Sequence, residues 1–320
     1  MDIKQKIDIA KQTLSAGGNI IKTRDDRELV LIDKDGKVQN EDVCSWLPNK
    51  DDNDNNGNID KTVYRTRIEP WLTSLFQSEH LSLLCGSGIT NAVSFLAGAT
   101  GGTTMGTTTF SKYKNEIQEA AKLSAEASGR GPGNIEDQIR IANDLLRGLK
   151  ILKKNEEAVG LEAELNSIIS EFAESILRSE NGIATADTDN RENAYSVLVN
   201  FLLSFASRTG NRERLNIFTT NYDRLIEVGA ELAGIHLMDR FVGNMMPIFR
   251  SSRLNLDIHY NPPGIRGEPR YLEGVARMTK LHGSIDWIQN EGEIRRVGLP
   301  FGAEKIGPYL QAPGLYGADA

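Results

Sequence analysis

The sequence predicts an α/β fold, a parallel sheet interrupted by a large helical insertion, and three observations carry that expectation. Two short apolar runs, "LSLLC" (81–85) and "LNIFT" (215–219), pass directly into a turn and then a helix-like stretch. That is the pattern of buried parallel strands. A third apolar segment, "GVARMTKLHGSIDW" (274–287), follows a proline-rich loop, "NPPGIRGEP". Between the first two, from about 110 to 208, apolar residues fall at helical spacing instead: Ile135, Ile139, Ala142, Leu146 and Leu149, then Leu161, Leu165, Ile168, Phe172 and Ile176.

Taken in chain order, residues 2–15 are charged and amphipathic and predict a helix. "ELVLIDKDGKVQNEDV" (28–43) predicts a hairpin turning at Asp35–Gly36, where a positive φ is cheap. "LPNKDDNDNNGNIDK" is a polar loop, and "YRTRIEPWLTSLFQSEH" (64–80) a helix interrupted at Pro70. Residues 1–80 are therefore expected to form an N-terminal extension, and 81–320 a sheet domain interrupted at about 110–210. Within the insertion, "GRGPGN" breaks one helix before the next, which Asn134 caps. The plain role for such a module is a scaffold or an oligomerisation surface. The Gly- and Pro-rich ending, from 298 on, predicts no clear strand or helix.

Composition narrows the function classes. With 25% charged and 39% hydrophobic residues, the 320-residue chain has an ordinary globular balance. No apolar run approaches the roughly 20 residues of a membrane span; the longest, "SVLVNFLLSFA", reads as a core helix. The charged start is no secretory signal, so a cytoplasmic location is expected. A net charge of −7 argues against a broad nucleic-acid surface. Two cysteines, Cys44 and Cys85, cannot build a four-cysteine zinc site, and His80, His236, His259 and His282 are too scattered for a metal cluster. No metal is expected.

Chemistry is expected where the three strands end. Gly86, Ser87 and Gly88 stand between a strand and a helix, where glycine lets a backbone approach a pyrophosphate and the helix N-terminus offers free N–H groups. A tight structural turn would explain the same residues. Position 91 is Asn where a dinucleotide fingerprint has its third glycine, and no Walker lysine follows. After the second strand come Thr219, Thr220, Asn221 and Asp223, more polar groups than helix capping alone accounts for. After the third comes His282 beside Gly283, an imidazole able to exchange protons near neutrality. A different motif, "DDNDNNGNID", sets Asp52, Asp54 and Asn56 at calcium-loop spacing around Gly57, but Val63 stands where a bidentate glutamate belongs. A solvated acidic loop is the plainer reading.

Together "GSGIT", "TTNYD" and "KLHGS", in that order, resemble the sirtuin nucleotide site, where a Gly-Ala-Gly-x-Ser turn, a Thr-Gln-Asn-x-Asp turn and a His-Gly pair surround NAD. The Thr-Thr-Asn-Tyr-Asp form, with a long helical insertion before it, most resembles the bacterial sirtuin-like proteins of anti-phage defence. The resemblance implies a Rossmann-like sheet and hydrolysis of NAD, the substrate, to ADP-ribose and nicotinamide. It also implies a homo-oligomer or a partner such as a HerA-type ATPase or a short Argonaute. By the same resemblance Gly86, Ser87, Gly88, Ile89 and Thr90 would hold the pyrophosphate and nicotinamide end, and Thr219 and Thr220 the phosphate side. Asn221 would position ribose or the attacking water, Asp223 would bind the nicotinamide ribose, and His282 would be the general base, with Gly283 and Ser284 completing the loop.

This chain departs from the deacylases of that family. "NAVSFLAGATGG" replaces their Gly-Ile-Pro-Asp-Phe-Arg stretch, and the zinc-ribbon cysteines after the His-Gly pair are missing. Both departures favour hydrolysis over deacylation. The late Gly-Thr/Ser or Gly-Tyr-Ser turn that binds adenosine is not evident, which leaves either a truncated form or a site without part of that half. Rival readings are a non-enzymatic NAD or ADP-ribose sensor, an NAD-dependent deacylase and a calcium-regulated interaction module.

Overall fold

The structure is a computed structural model that describes residues 3–21, 29–35, 61–99, 106–208, 212–253, 256–260, 270–290, 292–305 and 307. The chain divides into two units, Met1–Ser78 and Glu79–Ala320. The candidate calcium loop at 51–60, the proline-rich loop at 261–269 and nearly all of the ending after 305 lie outside the described residues.

In the first unit α1 (Ile3–Ser15) is followed by β1 (Asn19–Ile21), β2 (Val30–Ile32) and α2 (Lys61–Phe76). Helix α1 ends because Gly17 takes φ +79°, letting the Gly18 N–H turn back to the Thr13 carbonyl at 2.9 Å. Strand β2 pairs antiparallel with β1; the far strand of the hairpin predicted at Asp35–Gly36 lies outside the described residues. Helix α2 was expected to break at Pro70 but runs through it. The Pro70 nitrogen cannot make the helical hydrogen bond there.

The second unit begins with β3 (Ser82–Cys85) and α3 (Ser87–Leu96). Four helices follow, α4 (Lys114–Ala127), α5 (Ile135–Ile151), α6 (Asn155–Ala184) and α7 (Thr188–Ala206), the predicted insertion. Then come β4 (Leu215–Thr219), α8 (Leu225–Leu232), β5 (His236–Met238), β6 (Phe241–Val242) and β7 (Ile248–Phe249). The short strands β8 (His259–Tyr260) and β9 (Arg270–Tyr271) pair with each other. Strands β10 (Val275–Lys280), β11 (Trp287–Asn290) and β12 (Glu293–Arg296) complete the described chain.

Four strands form a parallel sheet in the order β3-β4-β10-β5. The pairing aligns Leu83 with Ile217 and Ile217 with Met278, and sets Cys85, Thr219 and Lys280 side by side at one edge. Alternation then decides the faces. Leu83, Cys85, Leu215, Ile217, Ala276 and Met278 fill a core with Val93 of α3, Leu198 and Leu202 of α7, and Leu225, Ile226 and Ala230 of α8. Burial pushes the Cys85 thiol up to about 11, so it stays a packed, unreactive group. A second, antiparallel sheet has the order β11-β12-β7-β6. No helix among the described residues is long and apolar enough to cross a membrane.

Helix α5 starts as a capping box: the Asn134 side chain accepts the Asp137 N–H at 3.0 Å, and Asp137 accepts the Asn134 N–H at 3.2 Å. Helix α6 is the spine of the unit. At 30 residues it is about 45 Å long, and it enters three cores in turn. Ala158, Leu161, Leu165 and Ile168 pack with Phe110, Ile117, Ala142, Leu146 and Leu149 inside the insertion. Ile176 and Leu177 pack with Ile285, Val297 and Leu299. Ile183 reaches the core under the parallel sheet.

Near its end, α6 presents Glu180, 1% exposed, to Arg224 on the loop after β4. Glu180 Oε2 accepts the Arg224 guanidinium at 2.6 Å, and Oε1 accepts the Arg224 backbone N–H at 2.7 Å. The same guanidinium donates to the carbonyls of Leu299 and Pro300. Burial pushes the Glu180 carboxyl up, against the pull of the arginine. Removing one member strands the other charge, so Glu180→Ala or Arg224→Ala is expected to cost about 3–5 kcal/mol in urea unfolding. The double change Glu180→Leu/Arg224→Met should recover part of that loss; no recovery would show that the polar contacts themselves, not the stranded charge, set the cost.

Candidate functional site

Because Cys85, Thr219 and Lys280 are level, the segments after them leave the sheet at one edge. The first is Gly86 and the opening turn of α3. Neither Gly86 nor Gly88 takes a left-handed backbone, and a Cβ built on either meets nothing within 4 Å. Turn geometry and packing therefore do not require glycine at either position.

The second segment locks onto the first. Thr219 is fully buried, and its hydroxyl accepts the Asn221 N–H at 3.1 Å. The Asn221 side-chain nitrogen donates to the Gly86 carbonyl and to Thr90 Oγ1, both at 3.0 Å. A carbonyl can only accept, which fixes the amide orientation and leaves Oδ1 as the atom free to meet a ligand. Thr90 in turn donates to Asp223 Oδ2 at 2.7 Å. Asp223 Oδ1 accepts the Leu225 N–H at 3.2 Å, so Asp223 satisfies the first N–H of α8, whose N-cap residue, Arg224, makes no side-chain capping bond.

The third segment is stapled from beneath. Lys280, almost wholly buried, donates to the Asp223 carbonyl, to Glu227 Oε1 at 2.8 Å and to Ser284 Oγ at 3.0 Å. Burial pushes the Glu227 carboxyl up while Lys280 opposes it. The Leu281 N–H bonds the Thr219 carbonyl at 2.8 Å, and Gly283 turns the chain at φ +99°, a conformation that side-chain-bearing residues rarely adopt. His282 Nδ1 lies 3.2 Å from Glu136 Oε1 of α5. The same carboxylate oxygen accepts the Tyr222 hydroxyl at 2.6 Å. Burial, then the Glu136 contact and charge, raise the Tyr222 phenol, so it remains a donor. Its ring meets Phe172 of α6 edge-on, with centroids 5.5 Å apart.

These segments border a solvent-open cleft with a cavity volume of about 250 Å³, just under the roughly 300–1,000 Å³ usual for small-molecule sites. Ser87, Thr90, Asn91, Thr220, Asn221, Asp223 and His282 line it from the sheet side. Asn134, Glu136, Phe172, Ile176 and Ser179 line it from the insertion. Of the residues expected from the sequence, Gly86, Thr219, Gly283 and Ser284 shape the loops rather than line the cleft, Gly88 stands in the first turn of α3, and Ile89 packs on the core. A second cleft, with a cavity volume of about 260 Å³, runs along Asn216, Phe218, Arg240, Arg277 and Thr279, and none of the expected residues borders it.

Sequence reasoning missed the whole insertion wall. It took that module as scaffold, although the acidic pair after the Asn134 cap marked a helix start whose first turn carries Glu136. Ser179 had no signal at all; its hydroxyl is buried and without a hydrogen-bond partner among the described residues. Scanned against models of known protein families the chain matches none, and a search of curated proteins finds no match.

Thr90→Val keeps the shape of the side chain but leaves Asn221 and Asp223 each short of a partner. It is expected to cost about 1–3 kcal/mol of stability, read by urea unfolding. Ser179→Ala removes a hydroxyl that bonds nothing in the protein and should leave the midpoint nearly unchanged. Equal losses in the two variants would contradict this account of the network.

Proposed function

We propose that the protein hydrolyses NAD to ADP-ribose and nicotinamide in a sirtuin-like site on a Rossmann-like sheet. The observation that carries this reading is the meeting of three distant segments, 86–90, 219–223 and 281–284, around one cleft at the carboxyl edge of a parallel sheet. That edge is where α/β folds take nucleotides. The two glycines that the fold does not require add to it, since bare backbone at a helix N-terminus suits a pyrophosphate.

The chemistry follows from which atoms are left over. The C1′–N1 bond breaks with its electron pair going to nicotinamide, leaving an oxocarbenium-like ribose. A water oxygen bonds C1′, and its proton passes to His282 Nε2, since Nδ1 faces Glu136. Asn221, whose two N–H groups are spent on Gly86 and Thr90, offers Oδ1 to orient that water or a ribose hydroxyl. Acceptor atoms thus gather near the ribose, where positive charge develops, and free N–H groups at the α3 N-terminus, where the phosphates are negative. The reaction calls for no redox group and no metal. By the same resemblance the protein acts in the cytoplasm as an effector of anti-phage defence, as a homo-oligomer or beside a HerA-type ATPase or short Argonaute.

Purified protein incubated with NAD, with and without such partners, is expected to release nicotinamide. His282→Ala and Asn221→Ala should each lower kcat at least about 100-fold. Release only in the presence of an acyl-lysine peptide would make the protein a deacylase, and NAD binding without release a sensor. A separate expectation concerns Gly88→Ala. It should leave the fold as stable or up to about 1 kcal/mol more stable, yet weaken NAD binding measured by calorimetry; unaltered binding would remove the pyrophosphate from that turn.

A further inference from the structure

The insertion sets a carboxylate against the histidine of the cleft. Glu136 Oε1 lies 3.2 Å from His282 Nδ1 and also accepts the Tyr222 hydroxyl at 2.6 Å. We infer that Glu136 is the positioning residue of this site, holding His282 with its proton on Nδ1 so that the Nε2 lone pair faces substrate or water. The inference rests on the proposed NAD hydrolysis for what the imidazole acts on, and on geometry alone for the tautomer.

A carboxylate can only accept, so at 3.2 Å it favours hydrogen over a lone pair on the ring nitrogen beside it, and the role of one nitrogen then sets that of the other. Tyr222 is what makes Glu136 a fixed partner: its phenol donates to the very oxygen that faces the imidazole, and its ring is itself held edge-on by Phe172. Three elements therefore agree on one geometry, the start of α5, the loop after β4 and the loop after β10. A purely stabilising role explains the arrangement poorly. The His282 and Glu136 side chains are 43% and 25% exposed, and solvated pairs of that kind add little to stability. A favourable acid in the first turn of a helix would account for Glu136 but not for its two partners. Orientation of a base by a carboxylate accounts for both, and this is the contribution that raises proton transfer to a substrate.

The full chain carrying isotope-labelled histidine gives a direct test through its ring-nitrogen chemical shifts. Spectra are taken at the basic end of a pH series, where the ring-nitrogen shifts no longer change with pH. The sequence has four histidines, and His282→Asn identifies the relevant signal. Wild type is expected to show hydrogen on Nδ1. Glu136→Ala, and Glu136→Leu should the alanine variant not fold, should move the population toward hydrogen on Nε2. Glu136→Gln, whose side-chain oxygen still accepts, should retain the wild-type pattern. In the nicotinamide assay kcat should fall about 100-fold in the alanine variant and about 10-fold in the glutamine variant, with KM within about twofold. An unchanged tautomer in whichever of the alanine and leucine variants folds overturns the inference, as does a loss confined to KM. If wild type releases no nicotinamide, the hydrolase reading falls while the spectra still decide what Glu136 does.

Discussion

Removing two charges from water costs several kcal/mol per ion, so the pairing of Glu180 with Arg224 is a constraint that the surrounding chain has to satisfy in detail. It does so with the Arg224 backbone N–H and with the carbonyls of Leu299 and Pro300. The contact joins the end of α6 to the loop that carries Asn221, Tyr222 and Asp223. Were α6 to slide or rotate, the guanidinium would lose its partner and Ser179, one residue away, would leave the cleft wall. The geometry of the site thus depends on an interaction that does not line it.

Within that frame the polar groups at the sheet edge divide by what is already spent. Lys280 is consumed by three acceptors, and the Asn221 amide nitrogen by two. Thr90 and Asp223 satisfy each other and the start of α8. What remains includes Asn221 Oδ1, the outer nitrogen of His282 and the Ser179 hydroxyl, together with the Ser87, Asn91 and Thr220 side chains that also line the cleft. A network spent in this way is rigid before any ligand arrives, which is the condition under which fixed dipoles act most strongly on a reacting centre.

The parallel sheet, its helical interruption and the meeting of three strand ends were legible because each rests on a local pattern. An apolar run followed by a polar turn marks β3, β4 and β10, and helical spacing marks α5 and α6. Asn134 showed its cap for the same reason. Other features are set by partners remote in sequence and leave no local trace. Strand β5, three residues long, exists because β10 pairs with it. The antiparallel sheet that includes β11 and β12 is likewise held by cross-strand partners. The role of Glu136 depends on a histidine and a tyrosine from two other elements. Pro70 misled in the opposite direction: the local rule was right about the lost bond and wrong about its consequence.

The reach of α6 through three cores bears on how this protein could be pared down. A rod that fills the interior of one module, braces a second packing layer and plugs the underside of the sheet has no point at which it can be severed harmlessly. The four-helix stretch is an insertion only in the linear order of residues. In the folded molecule it and the sheet share one keel, so the two are expected to melt together.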